Sequence, residues 1–167
     1  MEALAWIGQL AEWVGSFFPR WVIIRTTHAG VKFVRGRRIV VCGAGIHWYW
    51  PAMTEMLVHP IARQTVNLKS QTITTADSKT IIIGGLIVFE ITNIEAILAH
   101  TWDADDAIKD VCLGAIHDVC CLLSWGEIHE QQRSGKLDRA LRAEVKKALD
   151  TFGVRVIRVT LTDLAPA

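Results

Sequence analysis

Three cysteines and one histidine lie close together in the sequence and raise the question of metal or thiol chemistry. Cys112, Cys120 and Cys121 share a predicted helix with His117. Only His117 and Cys121 have the i, i+4 spacing that brings side chains together on one helix face, so only two ligands converge. Cys42 lies on a different predicted element. The sequence therefore predicts no metal site and favours buried, reduced thiols.

Other catalytic signatures are missing from the sequence as well. The glycines of residues 43–45 lack the spacing of a phosphate-binding loop and precede a predicted strand rather than a helix. The three acids of residues 103–106 suit the start of a helix, where the helix dipole favours negative charge. No G-x-S-x-G or H-E-x-x-H motif is present, so we predict no catalytic residue, no cofactor and no enzyme. An enzyme with a Cys–His site at Cys120 or Cys121 is the least favoured alternative.

The elements that would position these residues change character after Asn93. Strands are predicted over residues 21–27, 31–34, 39–42, 46–50, 56–58, 64–68, 71–75 and 80–91. His28-Ala29-Gly30 and residues 76–79 are predicted as hairpin turns, and Gly84-Gly85 as a bulge.

Helical periodicity follows these strands. Helices are predicted over residues 94–100, from Asp103 to near Gly126, over 127–133 and over 136–152, where Gly153 ends the last one. A final strand is predicted over residues 154–161, with Arg155 and Arg158 pointing outward. A strand-rich half followed by helices and one returning strand predicts an α+β fold.

The composition is that of a folded protein without a general bias toward nucleic acid. The chain has 167 residues, of which 51% are hydrophobic and 21% charged, and a formal net charge of +1. The apolar share excludes extensive disorder, and the near-zero charge argues against a nucleic-acid partner. The charge is uneven, however: residues 1–19 carry −2, residues 20–38 carry +6 and residues 39–167 carry −3. The bases of the middle segment form a predicted basic collar: Arg20, Arg25, Lys32, Arg35, Arg37 and Arg38.

The segment before the collar, residues 1–19, predicts an amphipathic helix that ends at Pro19. Its polar strip is narrow, and its apolar surface covers about half of the helix circumference. The residues expected to insert into a membrane are Trp6, Ile7, Leu10, Trp13, Val14, Phe17 and Phe18. A helix of this length reaches about 27 Å, short of a hydrocarbon core of roughly 30 Å, and Glu12 would be costly inside it. We therefore expect a helix in the interface or in one leaflet, with Arg20, Arg25 and Lys32 near the headgroups.

Two other interpretations stay open at this point. The polar face of the helix is acidic, whereas interfacial helices are usually basic there, so the helix could instead pack between the subunits of a soluble self-assembling protein. The basic collar could equally be the solvated face of a hairpin.

In their order and spacing, several stretches resemble the SPFH (Band 7) domain of stomatins, prohibitins and flotillins. The stretches that carry the resemblance are Gly30–Arg37, Gly43–Pro51, Arg63–Leu68, Thr74–Thr80, the strand to Ile91 and Phe152–Leu164. The resemblance covers roughly residues 20–165. It implies an N-terminal membrane-associating helix over residues 1–19 followed by an SPFH domain over residues 20–165.

The resemblance also implies a function. Members of this family are membrane scaffolds rather than enzymes, and they form homo-oligomeric rings that organise microdomains and regulate neighbouring proteases or channels. We therefore expect a protein bound to one leaflet, peripheral or monotopic. In stomatins and prohibitins a long, often coiled-coil helix follows the domain, whereas this sequence stops at Ala165-Pro166-Ala167 with no C-terminal coiled coil. We expect either a minimal or truncated member of the family, or an oligomer that rests on the domain alone.

Overall fold

The structure, a computed structural model, describes residue 15, residues 18–100 and residues 103–166. Most of the predicted N-terminal helix, including Trp6, Ile7, Leu10, Trp13, Val14 and Phe17, lies outside the described residues. The chain divides into an N-terminal unit, Met1–Ile61, and a C-terminal unit, Ala62–Ala167.

The N-terminal unit is built from antiparallel strands. Strand β1 (Arg20–Ile24) pairs with β4 (Gly45–Tyr49) to form a two-stranded ribbon. Strands β2 (His28–Val34), β3 (Arg38–Cys42) and β5 (Thr54–Pro60) form a second sheet in the order β3-β2-β5. Among the described residues of this unit, the buried apolar ones are Ile24, Ala29, Val31 and Cys42.

The predicted turn at residues 28–30 is wrong. The chain turns earlier, where the amide of His28 donates to the carbonyl of Arg25 at 3.0 Å, and His28–Val34 form one strand. A side chain at Gly30 would collide with Ile24 and Met56, so this glycine permits close packing rather than a turn. Strand β1 does not form a hairpin with β2 but pairs with β4.

The C-terminal unit contains a three-stranded antiparallel sheet of β6 (Gln64–Thr74), β7 (Thr80–Ile91) and β8 (Val154–Pro166), in the order β6-β7-β8. Helices α1 (Ile94–His100), α2 (Ala104–Cys121), α3 (Trp125–Arg133) and α4 (Lys136–Leu149) follow β7, and a 3₁₀ turn (Asp150–Phe152) leads into β8. Along the chain, strands are thus followed by helices and a returning strand, as predicted.

One face of β7 and the helices α2 and α4 enclose the core of this unit. The strand contributes Ile81, Ile83, Ile87 and Phe89, all at most 1% exposed. Helix α2 packs over β6 and α4 over β8, and the two helices also contact each other. The predicted hairpin turn between β6 and β7 and the predicted bulge at Gly84-Gly85 are both confirmed by the strand pairing.

Two predicted helix boundaries are wrong. The helix expected to reach Gly126 ends at Cys121, because Ser124 caps a new helix through a capping box with Glu127. The amide of Ser124 donates to the Glu127 carboxylate at 2.9 Å. This hydrogen bond gives the backbone amide of the N-cap residue a partner at the start of the new helix. The helix expected to reach residue 152 changes to a 3₁₀ turn after Leu149, and Gly153 then ends it in the left-handed conformation.

Asp77 joins the β6–β7 turn to the start of α3. Its carboxylate accepts hydrogen bonds from the Thr75 hydroxyl and from the Trp125 amide, and lies 3.2 Å from the Lys79 ammonium. The Thr75 hydrogen bond, followed by those from Lys79 and Trp125, lowers the pKa of Asp77 from 3.8 to about 2. A charged Asp77 therefore stabilises the folded unit.

This contact predicts a pH-dependent loss of stability. A carboxyl whose folded pKa lies below its unfolded pKa stabilises the fold fully above the unfolded value and loses this effect as pH falls through the folded value. We expect the Asp77→Asn variant to be less stable than the wild type at pH 7, with the difference shrinking between pH 3.8 and about 2. Urea unfolding at several pH values would measure it, and a constant difference across that range would refute the assignment.

Gly153 gives a second stability prediction. Its φ is +68°, and a Cβ atom there would lie 2.7 Å from the Cβ and 2.8 Å from the carbonyl oxygen of Asn93. Gly153→Ala should therefore lower the free energy of unfolding by at least about 2 kcal/mol. The matched control is Gly114→Ala inside α2, where a Cβ would meet no atom within 4 Å. That substitution should raise the free energy of unfolding by about 0.5–1 kcal/mol, and equal effects of the two changes would contradict the prediction.

Candidate functional site

The ribbon of β1 and β4 carries an exposed apolar face. Trp21 lies opposite Trp48, and Ile23 lies opposite Ile46. Because side chains alternate between the two faces of a strand, these four side chains share one face. Their exposed fractions are 71% for Trp21, 60% for Trp48, 72% for Ile23 and 64% for Ile46. We call these four residues the ladder face.

The opposite side of the ribbon explains why the ladder face points outward. Ile24 is 2% exposed, and Val22, His47 and Tyr49 are partly buried, so the ribbon packs into its own unit on that side. The Trp21 and Trp48 rings contact each other across the strands, with centroids 5.7 Å apart and planes inclined by 47°. The exposed rings are therefore held in place by each other as well as by the backbone ladder.

Several chain turns meet at one end of the same unit. The amides of Met53 and Thr54 donate to the carbonyl of Trp50, and the amide of Arg35 donates to the carbonyl of Met53 at 2.8 Å. Arg20, at the start of β1, lies opposite Tyr49, at the end of β4. We call this region, residues 18–20, 34–38 and 49–54, the turn end. Its exposed large apolar side chains are Phe18, Trp50 and Met53.

Most of the predicted basic collar gathers at the turn end. Four of its six bases lie within this region: Arg20, Arg35, Arg37 and Arg38. The Lys32 ammonium donates to the carbonyl of Trp48, in β4, at 2.7 Å. Arg25 is different. It follows the last residue of β1, at the far end of the ribbon, where its carbonyl accepts from His28.

The charge of these bases is not balanced by acids within residues 18–61. Residues 18–61 contain one acid, Glu55. Within the part of the chain that the structure describes, the ion pairs involve Lys79, Lys109, His117, Lys147 and Arg155, and none of the collar bases is among them. The described part of the N-terminal unit therefore combines an exposed apolar face with an excess of positive charge.

The thiols form no comparable site. The Cys121 sulfur lies 3.4 Å from Nε2 of His117, as their spacing predicted. Burial raises the pKa of Cys112 to about 12, and burial followed by the neighbouring Cys121 raises that of Cys120 to about 11. Neither buried thiol is thus a thiolate near neutral pH. Among the described residues, no group of three His, Cys, Asp or Glu side chains could hold a metal ion.

No single helix in residues 18–100 and 103–166 is long and apolar enough to cross a bilayer. Helices α2 and α3 taken together have the length and apolar composition of a membrane span, but they bend by 112° at the break between them. The core face of α2, with Ile108, Cys112 and Ile116, is buried.

Sequence reasoning named Phe18 and the collar but missed the ladder face. Its signal was present in the alternation of Trp21 with Ile23 and of Ile46 with Trp48. Alternation alone does not say which face of a strand is exposed or which strand is its partner, and here the predicted partner of β1 was wrong.

Comparison with known proteins agrees with the architecture. The family model described as "SPFH domain / Band 7 family" matches residues 22–167. The chain is similar to an uncharacterized protein of Archaeoglobus fulgidus, with 20% identity over 159 residues. This alignment covers 95% of the chain and 63% of the length of that relative.

Proposed function

Because the chain belongs to the SPFH (Band 7) family, we propose that it is a membrane-associated scaffold and that the ladder face is one of its membrane contacts. The observation that carries this proposal is the exposure of two tryptophans and two isoleucines side by side on one face of the β1–β4 ribbon. A contiguous exposed apolar patch is often a contact surface for a protein or a membrane. Tryptophan is also the side chain most typical of the membrane–water interface.

The backbone of the ribbon limits how deeply it can enter. The ribbon has only two strands, so each strand has one edge without a strand partner. Unpaired backbone amides and carbonyls cost several kcal/mol each in hydrocarbon. The ladder face should therefore lie at the boundary between headgroups and acyl chains, where apolar side chains are buried about 5–10 Å deep and the edges stay hydrated.

The N-terminal segment is the second proposed contact. Phe18 is exposed two residues before β1, so the chain enters this strand close to Trp21 in sequence. An amphipathic helix inserted there would hold the ladder face close to the same leaflet. Two linked contacts raise the apparent affinity far above either alone, because the second contact forms at a high effective concentration.

Assembly into a homo-oligomer is part of the same proposal. A scaffold organises a membrane by repeating its contacts, and each copy would add one ladder face to the same bilayer. We further propose that neighbouring membrane proteins, such as proteases or channels, are its clients. The mass of particles purified in detergent tests the assembly.

The ladder face can be tested with Ile23→Ser/Ile46→Ser in the full chain. Removing two large apolar side chains from the interface should weaken partition into phosphatidylcholine vesicles at least tenfold, as measured by flotation. The matched control is Leu122→Ser, which removes an 81% exposed apolar side chain from the C-terminal unit and should leave flotation unchanged. If both variants float like the wild type, the ladder face is not a membrane contact.

The N-terminal contact can be tested by comparing the full chain with a chain lacking residues 1–19. The deletion should reduce flotation with the same vesicles, because it removes the inserting side chains. Equal flotation of the two chains would contradict the insertion role. A concentration-dependent change in particle mass without lipid binding would instead favour a helix that packs between subunits.

A further inference from the structure

We propose that the turn end binds the phosphate groups of anionic lipids and so fixes which end of the N-terminal unit meets the bilayer. This inference rests on the proposed membrane function and deepens it, because it names the lipid chemistry and the orientation. It is carried by the placement of the bases, by the charge around them and by the conformation of one arginine.

The placement of charge points to an anionic surface. Arg20, Arg35, Arg37 and Arg38 lie at the turn end, and Lys32 is anchored to Trp48. Glu55 is the one acid in residues 18–61, so the cluster keeps a large positive excess. Guanidinium groups bind phosphate oxygens with two parallel hydrogen bonds, which makes arginine better suited than lysine to a phosphodiester headgroup.

The turn between β2 and β3 displays three of these arginines. The amide of Arg37 donates to the carbonyl of Val34 at 3.1 Å, which closes a turn whose central residues are Arg35 and Gly36. Both have a positive φ, +53° for Arg35 and +65° for Gly36. A Cβ atom on Gly36 would meet no atom within 4 Å, so the tip of the turn is open.

Arginine is a costly choice at the first of these two positions. Turns with two successive positive φ values favour Asn, Asp or Gly there, because other side chains are strained in the left-handed region. The chain keeps Arg35 in this conformation through the hydrogen bond from its amide to Met53. A long basic side chain is therefore presented at a place where local stability alone favours a short one.

The turn end also adjoins the proposed membrane contact. A shallow groove is lined by Pro19, Arg20, Trp21 and Trp48, which joins the first arginine of the cluster to the ladder face. A second one is lined by Val34, Arg35, Trp50, Met53 and Thr54. Apolar rings next to arginines fit a bilayer, where acyl chains and phosphates lie one above the other, better than they fit free phosphate in solution.

The test compares the full chain on vesicles of phosphatidylcholine alone and of phosphatidylcholine with 30 mol% phosphatidylglycerol, a composition of roughly typical anionic content. Wild type should bind the anionic vesicles more tightly than the neutral ones. We call this increase in affinity the anionic gain, and added salt should remove it. In Arg35→Asn/Arg37→Gln/Arg38→Gln the gain should fall by about fivefold for each base, roughly a hundredfold in all, while binding to the neutral vesicles stays the same.

Two matched variants separate charge from structure. Arg25→Gln removes a collar base at the far end of the ribbon and should leave the anionic gain intact. Arg35→Asn alone places a residue that the left-handed region favours, so its thermal midpoint should equal or exceed that of the wild type while the gain drops about fivefold. In a further arm, about 10 mM inorganic phosphate should not displace the protein from the vesicles, because at that ionic strength the screening length still exceeds the roughly 10 Å of 0.1 M salt.

The outcomes distinguish this inference from the function it rests on. Wild type that binds neither kind of vesicle overturns both. Equal binding of wild type to neutral and anionic vesicles, or an equal loss in Arg25→Gln and the triple variant, overturns the turn-end site and leaves the membrane contact standing. Displacement by inorganic phosphate shows a site for the free anion, and a triple variant with changed particle mass but unchanged lipid binding shows a surface between copies; either result also overturns it.

Discussion

The pairing of β1 with β4 is the constraint on which the rest of the N-terminal unit depends. The register places Trp21 opposite Trp48 and Ile23 opposite Ile46, so that four large apolar side chains share one face. A shift of one residue in β1 would turn Trp21 and Ile23 to the packed side and bring Val22 out. The buried Ile24 opposes that shift, because it would have to leave the core for solvent.

The same pairing gives the unit a direction. It brings the start of β1 next to the end of β4, and the hydrogen bond from Arg35 to Met53 adds the β2–β3 turn to that end. Four of the six collar bases thereby meet, although Arg20 is 15 positions before Arg35 in the sequence. The chain leaves the unit at Ile61, whose amide donates to Thr27 near the other end of the ribbon. A charge pattern that is continuous in sequence is thus divided between two ends in space.

The elements of this fold were largely predictable from the sequence, whereas their partners were not. Periodicity located β7, α2 and α4 because each buries one regular stripe, and Gly153 ends the 3₁₀ turn that continues α4. The prediction of a β1–β2 hairpin was wrong because Gly30, a turn signal in sequence, serves close packing against Ile24 and Met56. The boundary at Cys121 was missed because the Ser124–Glu127 capping box is a local interaction that helical periodicity does not reveal. The ladder face follows from strand pairing, so it could not be recognised until the partner of β1 was known.

The apolar and basic features together restrict how the unit can meet a bilayer. If the ribbon stood upright with the turn end down, Ile23 and Ile46 would lie about 7 Å above the tryptophans, and the arginines would be pushed below the phosphates. If it lay flat, Arg25 would sit at the same depth as Arg20, and one side of the turn end would face away from the headgroups. An oblique ribbon satisfies both features, because the long arginine side chains can reach upward to the phosphates while the ladder face meets the acyl boundary. Arg25 lies about 16 Å along the strand from Arg20. In an oblique ribbon its distance from the charged lipid surface is therefore roughly one screening length or more. In the proposed membrane-bound state, two requirements would therefore set the orientation: the unpaired strand edges must stay hydrated, and the arginine side chains must reach the phosphates.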